Sequence, residues 1–368
     1  MKEALKSIQW VKAMEDELLS LESHKTWTLT ELPSDKQAIV YVSQPPGFEI
    51  KGKEDKHGYE RSENEPTVYV KRVNEKELII ICLYEDDIIY TGSSNELIDE
   101  FKQHMLKEFD MTDIGILNYF LGLEVIKGKE GIFLSQKKYA KDLLNRFGMI
   151  KCKTVTVPMI PGEKLQLDDG VGIVSLFLQQ PSIYHLGAAK RILRYIAGTI
   201  EYGIWYGNKQ QIILTGYSDN DWAGSSSDMK SISAHVFSIG SGSVSWSSRK
   251  QGVVALSTTE AEYISAAACA CQAIWLRKMM GDLMHEQQLA TTIFCDNRSA
   301  IFLNKNQGFH SRTKHISIKY HFIRTLTDEG QVKLNSVATH EQIADILTKA
   351  LGAEQFLYLR ERLGVTTI

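Results

Sequence analysis

The sequence predicts a protein of mixed α/β and α+β class, an irregular first part over residues 1–205 followed by a mixed sheet with flanking helices over residues 206–368. Three observations carry this. From about residue 211 the segments read β-β-β-α-β-α-α-β-α, the strands bounded by acidic or Gly-Ser turns and the long helix marked by apolar residues at helical spacing. Earlier in the chain, apolar runs of strand length flank short polar turns. Two stretches, 35–66 and 160–183, are loop-like and long for connections inside a compact domain.

Taken in order, residues 1–24 read as an amphipathic helix with acids and bases mixed. After the first loop, ELIIICL and IIYTG flank an acidic turn, which predicts a β-hairpin with Asp86 and Asp87 at its tip. A helix over 95–108, a strand pair within 119–135 around KGKEG, and a short helix over 136–147 follow. The second loop leads into the helix HLGAAKRILRYIAG. In the second part, IILTGYSDND is a strand running into an acidic turn, and SISAHVFSIGSGSVSWSSRK is two strands joined by GSGS. The long helix beginning at STTEAEY repeats Ala261, Ile264, Ala268, Cys271, Trp275 and Met279 at helical spacing. TTIFCDN is a strand ending in an acid, NRSAIFLNKN and RTKHISIKYHFIRTLTDEG are helical, QVKLNSVAT is a strand, and EQIADILTKALGAEQFLYLRERLG closes as a helix.

With 368 residues, 43% of them hydrophobic and 24% charged, the chain can bury a substantial core. No window approaches 18 consecutive apolar residues and the N-terminus lacks signal-peptide character, so an intracellular protein without a membrane span is expected. Five cysteines show no metal or disulfide spacing and are expected to be free and mostly buried. The net charge is −3, and from residue 205 onward bases exceed acids by only two. Such a balance lacks the basic excess of a duplex binder, so nucleic-acid recognition has to be argued from sites.

Four acids stand at informative places: Asp219 ending the first strand of the second part, Glu262 in the long helix, Asp296 ending TTIFCDN, and Asp345 in the last helix. Taken singly, a strand-end Asp is usually a turn former and an acid near a helix start usually complements the dipole. The succession Asp-Glu-Asp-Asp on strand, helix, strand and helix raises the joint reading. Hydrolysis of a phosphodiester by two Mg²⁺ ions about 3.5–4 Å apart needs a carboxylate cluster of this kind. At roughly 100° per residue, Glu260 and Glu262 lie about 200° apart on a helix, so only one can face the sheet. Ser257 and Glu260 have the S-x-x-E form of a capping box, which leaves Glu262 for the cluster. Thr339 and Gln342 similarly fit T-x-x-Q, placing Asp345 one turn inside the last helix.

GYSDNDWAG, WSSRKQGVVALSTTEAEY, CDNRSAI, HSRTKHISIKYHFIR and ADILTK closely resemble the ribonuclease H domain of copia-type LTR retrotransposon Pol polyproteins. The resemblance implies that Asp219, Glu262, Asp296 and Asp345 bind Mg²⁺ and that the substrate is RNA in an RNA–DNA hybrid. Within the preceding basic segment, Arg312, Lys314, His315 and Arg324 are candidates for phosphate contact, weighed evenly against a solvated basic helix. Ser317, Ser225, Ala234 and His235 depart from the family pattern, but none is a proposed ligand. The ADILTK segment argues against an integrase or transposase core.

The first part resembles the reverse transcriptase of the same family through VYVSQPPGFEI, ERSENEPTVYVK, YEDDIIYTGSS, FDMTDIGILNYFLGLEV and QKKYAKDLL. YEDD corresponds to the palm motif whose aspartates, here Asp86 and Asp87, bind Mg²⁺ in a polymerase. Three stretches of the family pattern are absent, including the strand that carries the first catalytic aspartate. The upstream acids Glu31, Asp35 and Glu49 fall in loops, and Glu85 stands where the family usually has an apolar residue. Since phosphoryl transfer needs carboxylates from two strands and a nucleotide-binding surface, the expectation is an incomplete palm, thumb and connection remnant without polymerase activity, joined to a ribonuclease H-like nuclease. The alternative is a catalytically inert, pseudogene-like product with at most weak nucleic-acid binding.

Overall fold

The computed structural model describes residues 58–74, 77–109, 111–161, 183–225, 228–305 and 318–368. The expected helix at 1–24, the acids Glu31, Asp35 and Glu49, and the basic residues Arg312, Lys314 and His315 lie outside the described residues. The chain separates into two compact units, one of residues 1–60, 71–79 and 91–113, the other of residues 61–70, 80–90 and 114–368.

The expected hairpin is formed by β3 (Leu78–Tyr84) and β4 (Asp87–Gly92), in a sheet that also holds β1 (Glu60–Arg61) and β2 (Val68–Arg72) in the order β1-β2-β3-β4. Its turn is Glu85–Asp86, and Asp87 is the first residue of β4. Glu85 adopts φ 51°, a left-handed conformation that a two-residue hairpin turn demands and that glutamate occupies at a cost. Helix α1 (Asn95–Glu108) follows, its first turn capped by Ser94, whose hydroxyl accepts from the Leu97 amide.

In the larger unit, β5 (Tyr119–Phe120), β6 (Leu123–Gly128), β7 (Gly131–Ser135) and β8 (Gly203–Gly207) form an antiparallel sheet. Helices α2 (Lys137–Arg146) and α3 (Ile183–Gly198) stand between β7 and β8 in the chain. The fifth strand of this sheet is β14 (Val365–Thr366), from the C-terminal end of the chain, pairing antiparallel with Gly203 and Ile204. Gly364 makes that return with φ 82°. A Cβ there would strike the Ser241 carbonyl and come within 3.0 Å of the Gly242 Cα. Gly364→Ala is therefore expected to lower stability by about 2 kcal/mol, through both the positive φ and the backbone clash. A urea denaturation curve matching wild type would contradict this.

The second sheet has the order β11-β10-β9-β12-β13, built from β9 (Leu214–Asp221), β10 (Ile232–Ile239), β11 (Gly242–Lys250), β12 (Thr291–Cys295) and β13 (Val332–Ser336). The first three strands are antiparallel neighbours, whereas β12 runs parallel to both β9 and β13. This is the mixed sheet that the sequence predicts. Helix α4 (Thr258–Asp282) packs on one face, where Phe237, Tyr263, Ala266, Ala270, Ile293 and Leu334 belong to one buried cluster. Its alanines and Ser265 carry so little bulk that the helix approaches the sheet closely: the Ser265 hydroxyl donates to the Asp219 carbonyl at 2.7 Å. Helices α5 (Arg298–Lys305) and α6 (Phe322–Asp328) complete that layer. On the other face, Tyr217 and Val236 pack against Ile343 and Ala344.

Three expectations need correction. Asp219 lies within β9, not at its end. The closing helix is broken into two 3-10 turns, Thr339–Glu341 and Ile343–Leu347, before α7 (Ala353–Arg362). The break is at Gln342, whose extended ψ of 99° interrupts the helical path while its own side chain caps the second turn. Thr339 is accordingly not the cap. Finally, the cysteines are free, but only Cys269 and Cys295 are buried.

Candidate metal centre

Sheet register and helix phase together assemble the acids. Parallel pairing sets Phe294 of β12 beside Tyr217 of β9, and continuing that register by two residues brings Asp296 alongside Asp219. Ser257 caps α4 by accepting from the Glu260 amide at 3.2 Å, and the Glu260 carboxylate accepts from the Leu256 amide at 2.8 Å. Glu260 is thus spent on the helix start, as the capping box predicts, and Glu262 faces the sheet. Ligand oxygens of Asp219, Glu262 and Asp296 all lie within 4.8 Å of one another, the one cluster of three or more potential ligating side chains among the described residues. Asp219 and Glu262 are buried and Asp296 is partly exposed.

Asp345, which the sequence places in the same set, does not join that mutual cluster. It neighbours Asp219, and Lys349 bridges the two, with Nζ 3.1 Å from Asp219 Oδ1 and 2.8 Å from Asp345 Oδ1. Thr348 donates its hydroxyl proton to Asp219 Oδ2. Gln342, fully buried, donates from Nε2 to the Ser218 carbonyl at 2.9 Å and so ties the Asp345 turn to the strand that carries Asp219. Around Glu262, Asn220 Nδ2 donates to Oε2 and the Cys295 thiol to Oε1 at 3.5 Å. Asn220, Gln342, Thr348 and Lys349 are contributors that pattern reading misses. Of these, Gln342 had a local signal in its T-x-x-Q spacing, which points to a cap and not to Ser218, and Lys349 had its i,i+4 spacing from Asp345.

Burial pushes the Glu262 carboxyl well above the usual range, and the neighbouring Asp219 and Asp296 charges push it further. Burial and then the Asp219 charge raise Asp345 from 3.8 to about 7, against the opposing pull of Lys349. Burial works against charge on Lys349, but Asp219 and Asp345 more than offset it and leave its pKa raised. Raised carboxyl values mean that the metal-free folded state binds more protons than the unfolded chain between an ordinary Asp pKa of 3.8 and about 7. The stability these groups contribute is full below the lower value and is lost as pH rises through the upper one. In chelator, the urea midpoint is therefore expected to fall between about pH 4 and about pH 7, and to fall less in Asp345→Asn. Equal slopes in the two proteins would contradict the assignment.

The donor set suits a hard divalent cation. It is all carboxylate oxygen, it concentrates like charges that only a cation relieves, and the neighbouring Asn220 Oδ1 is buried without a partner among the described residues. The other sequence candidates are placed differently. Asp86 and Asp87 are exposed at the hairpin, with no third ligating group in a metal-sized cluster among the described residues. Arg324 donates from Nη2 to the Leu303 carbonyl at 2.9 Å and lies 5.9 Å from the Tyr263 ring centroid, tying α6 to its neighbours.

Residues 55–161 match the family model described as reverse transcriptase (RNA-dependent DNA polymerase). Over 401 aligned residues, 91% of this chain and 30% of the relative, it is 32% identical to the retrovirus-related Pol polyprotein from transposon TNT 1-94 of Nicotiana tabacum. The chain belongs to the copia-type retrotransposon Pol family. A second Pol polyprotein, from transposon RE1 of Arabidopsis thaliana, is 32% identical over 415 residues, 95% of this chain and 28% of the relative. This Pol fragment thus spans under a third of the length of those relatives. Both aligned spans exceed its 368 residues, so the relatives carry internal sequence that it lacks. An uncharacterized mitochondrial protein of Arabidopsis thaliana is 31% identical over 223 residues, 53% of this chain and 93% of that protein. Among solved structures, the N-terminal RNase H domain of rv2228c from Mycobacterium tuberculosis, fused to maltose-binding protein, aligns at a TM-score of 0.27 and 12% identity, covering 41% of this chain and 98% of that one. At that score the alignment adds no argument to the strand order described above. No described helix of the Pol fragment is long and apolar enough to cross a membrane.

Proposed function

We propose that residues 206–368 of this Pol fragment act as a Mg²⁺-dependent ribonuclease H on the RNA strand of RNA–DNA hybrids, and that residues 1–205 are an internally deleted reverse transcriptase that no longer polymerises. The observation that carries the nuclease reading is the convergence of Asp219, Glu262 and Asp296 from two strands and a helix onto one point. Bound there, Mg²⁺ supplies the charge that an in-line displacement at a phosphodiester requires. The protein's own part is positional. The strands β9 and β12 hold Asp219 and Asp296 in register, the Ser257 cap sets the phase of Glu262, and Asn220 and Cys295 orient the Glu262 carboxylate from either side. Asp345 and Lys349 adjust the charge around Asp219.

The reading of lost polymerase function is supported by the exposed Asp86 and Asp87, which join no cluster of three ligating groups among the described residues, and by the internal sequence that the relatives carry and this chain lacks. Full-length protein is expected to release fragments from 5′-labelled RNA in a hybrid when Mg²⁺ is present, and to extend no primer on an RNA template. Fragment release unaffected by chelator, or primer extension above background, would overturn the corresponding half of the proposal.

A further inference from the structure

A centre that takes two divalent ions needs two groups of carboxylates, and this one has its second group already occupied by a side chain. The trio Asp219, Glu262 and Asp296 offers one cation position. Among the described residues, the remaining carboxylate pair beside it is Asp219 with Asp345, and the Lys349 ammonium bridges them within 3.1 Å of both. Asp219 is spent on this side twice over, since Oδ1 meets Lys349 and Oδ2 receives the Thr348 hydroxyl. Both partners come from the turn that follows Asp345, where the Thr348 and Lys349 amides donate to the Asp345 carbonyl at 3.1 and 2.9 Å. Asp219 and Asp345 are 2% and 5% exposed, so without a counter-charge two carboxylates would face each other out of water.

We propose that Lys349 is a built-in cation, standing in for the second divalent ion in the substrate-free protein, so that the centre takes one free ion instead of two. The inference rests on reading the carboxylates as a metal centre. It deepens that reading by assigning the charge balance at rest to the chain itself. A lysine serves this role because its ammonium is a compact charge with three donors on a flexible stem, able to bridge two carboxylates and to withdraw along its partly exposed path when a substrate displaces it.

The test counts ions without using activity. Titration of full-length protein with Mn²⁺, following the free-ion electron paramagnetic resonance signal, is expected to show one bound ion in wild type and two in Lys349→Gln. Two ions in wild type, or no gain in the variant, would overturn the proposal while leaving the metal reading intact. No ion in either protein would remove the metal reading and the proposal with it. Stability in chelator supplies the second readout: Lys349→Gln is expected to melt at least about 5 °C below wild type and to recover on adding Mn²⁺. Adding Asp345→Asn to Lys349→Gln removes the uncompensated charge and is expected to restore the melting temperature without any ion. If Lys349→Gln fails to fold in chelator, failure of the double variant to recover would count against the proposal, and recovery would support it.

Discussion

Asp296→Asn is expected to lower Mg²⁺-dependent cleavage of RNA in a hybrid by at least about 10³-fold, roughly 4 kcal/mol of lost transition-state stabilisation. The substitution keeps the side chain's shape and removes its charge. Asp296 is the partly exposed member of the trio, just beyond the end of β12. Its charge also raises the Glu262 carboxyl, so neutralising it relieves repulsion in the metal-free protein. The variant is thus expected to unfold cooperatively, and in chelator at a temperature no lower than wild type. Single-turnover cleavage of a labelled hybrid measures the first effect and a thermal melt the second. Cleavage by Asp296→Asn at the wild-type rate would place the chemistry elsewhere, or in no part of this chain.

Gln342→Ala is expected to be among the most damaging substitutions outside the trio, at about 3 kcal/mol or more of stability. Gln342 is fully buried and uses both ends of its amide. Nε2 donates to the Ser218 carbonyl, and Oε1 accepts from the Ala344 amide at 3.3 Å. Truncation leaves a buried acceptor and a buried donor without partners, at about 1–3 kcal/mol each, and opens a cavity beneath the turn. The same loss frees the Asp345 turn from β9, so the Asp219–Lys349–Asp345 arrangement loosens with it. Urea denaturation in chelator and in Mg²⁺ should show the deficit in both conditions, which separates lost packing from lost charge balance. A midpoint within experimental error of wild type would show that water replaces the amide and that the turn is held by other contacts.

The order of strands and helices after residue 211 was legible because each element announces itself locally. Short runs ending in acidic or Gly-Ser turns mark β9, β10 and β12, and helical spacing with an S-x-x-E start marks α4. The choice of Glu262 over Glu260 needed only the turn angle of a helix, a property of neighbouring residues, and the side chains sit as that angle requires. The YEDD hairpin was legible for the same reason. The closing helix was misread because Gln342 looks like a cap in sequence. Its buried bond to Ser218, 124 residues away in the chain, breaks the helical path at that point. The pairing of β14 with β8 had no local signal, since a two-residue strand carries no period.

By itself, then, the sequence determined the kinds of element, the identity of the acids and the family to which they point, because each depends on residue type and short spacing. Only the tertiary structure decided that three of the acids share one point, that Asp345 meets only Asp219 of them, and that Lys349 bridges that pair. Those outcomes depend on strand register and on contacts between residues more than a hundred positions apart, which no local pattern in the sequence encodes.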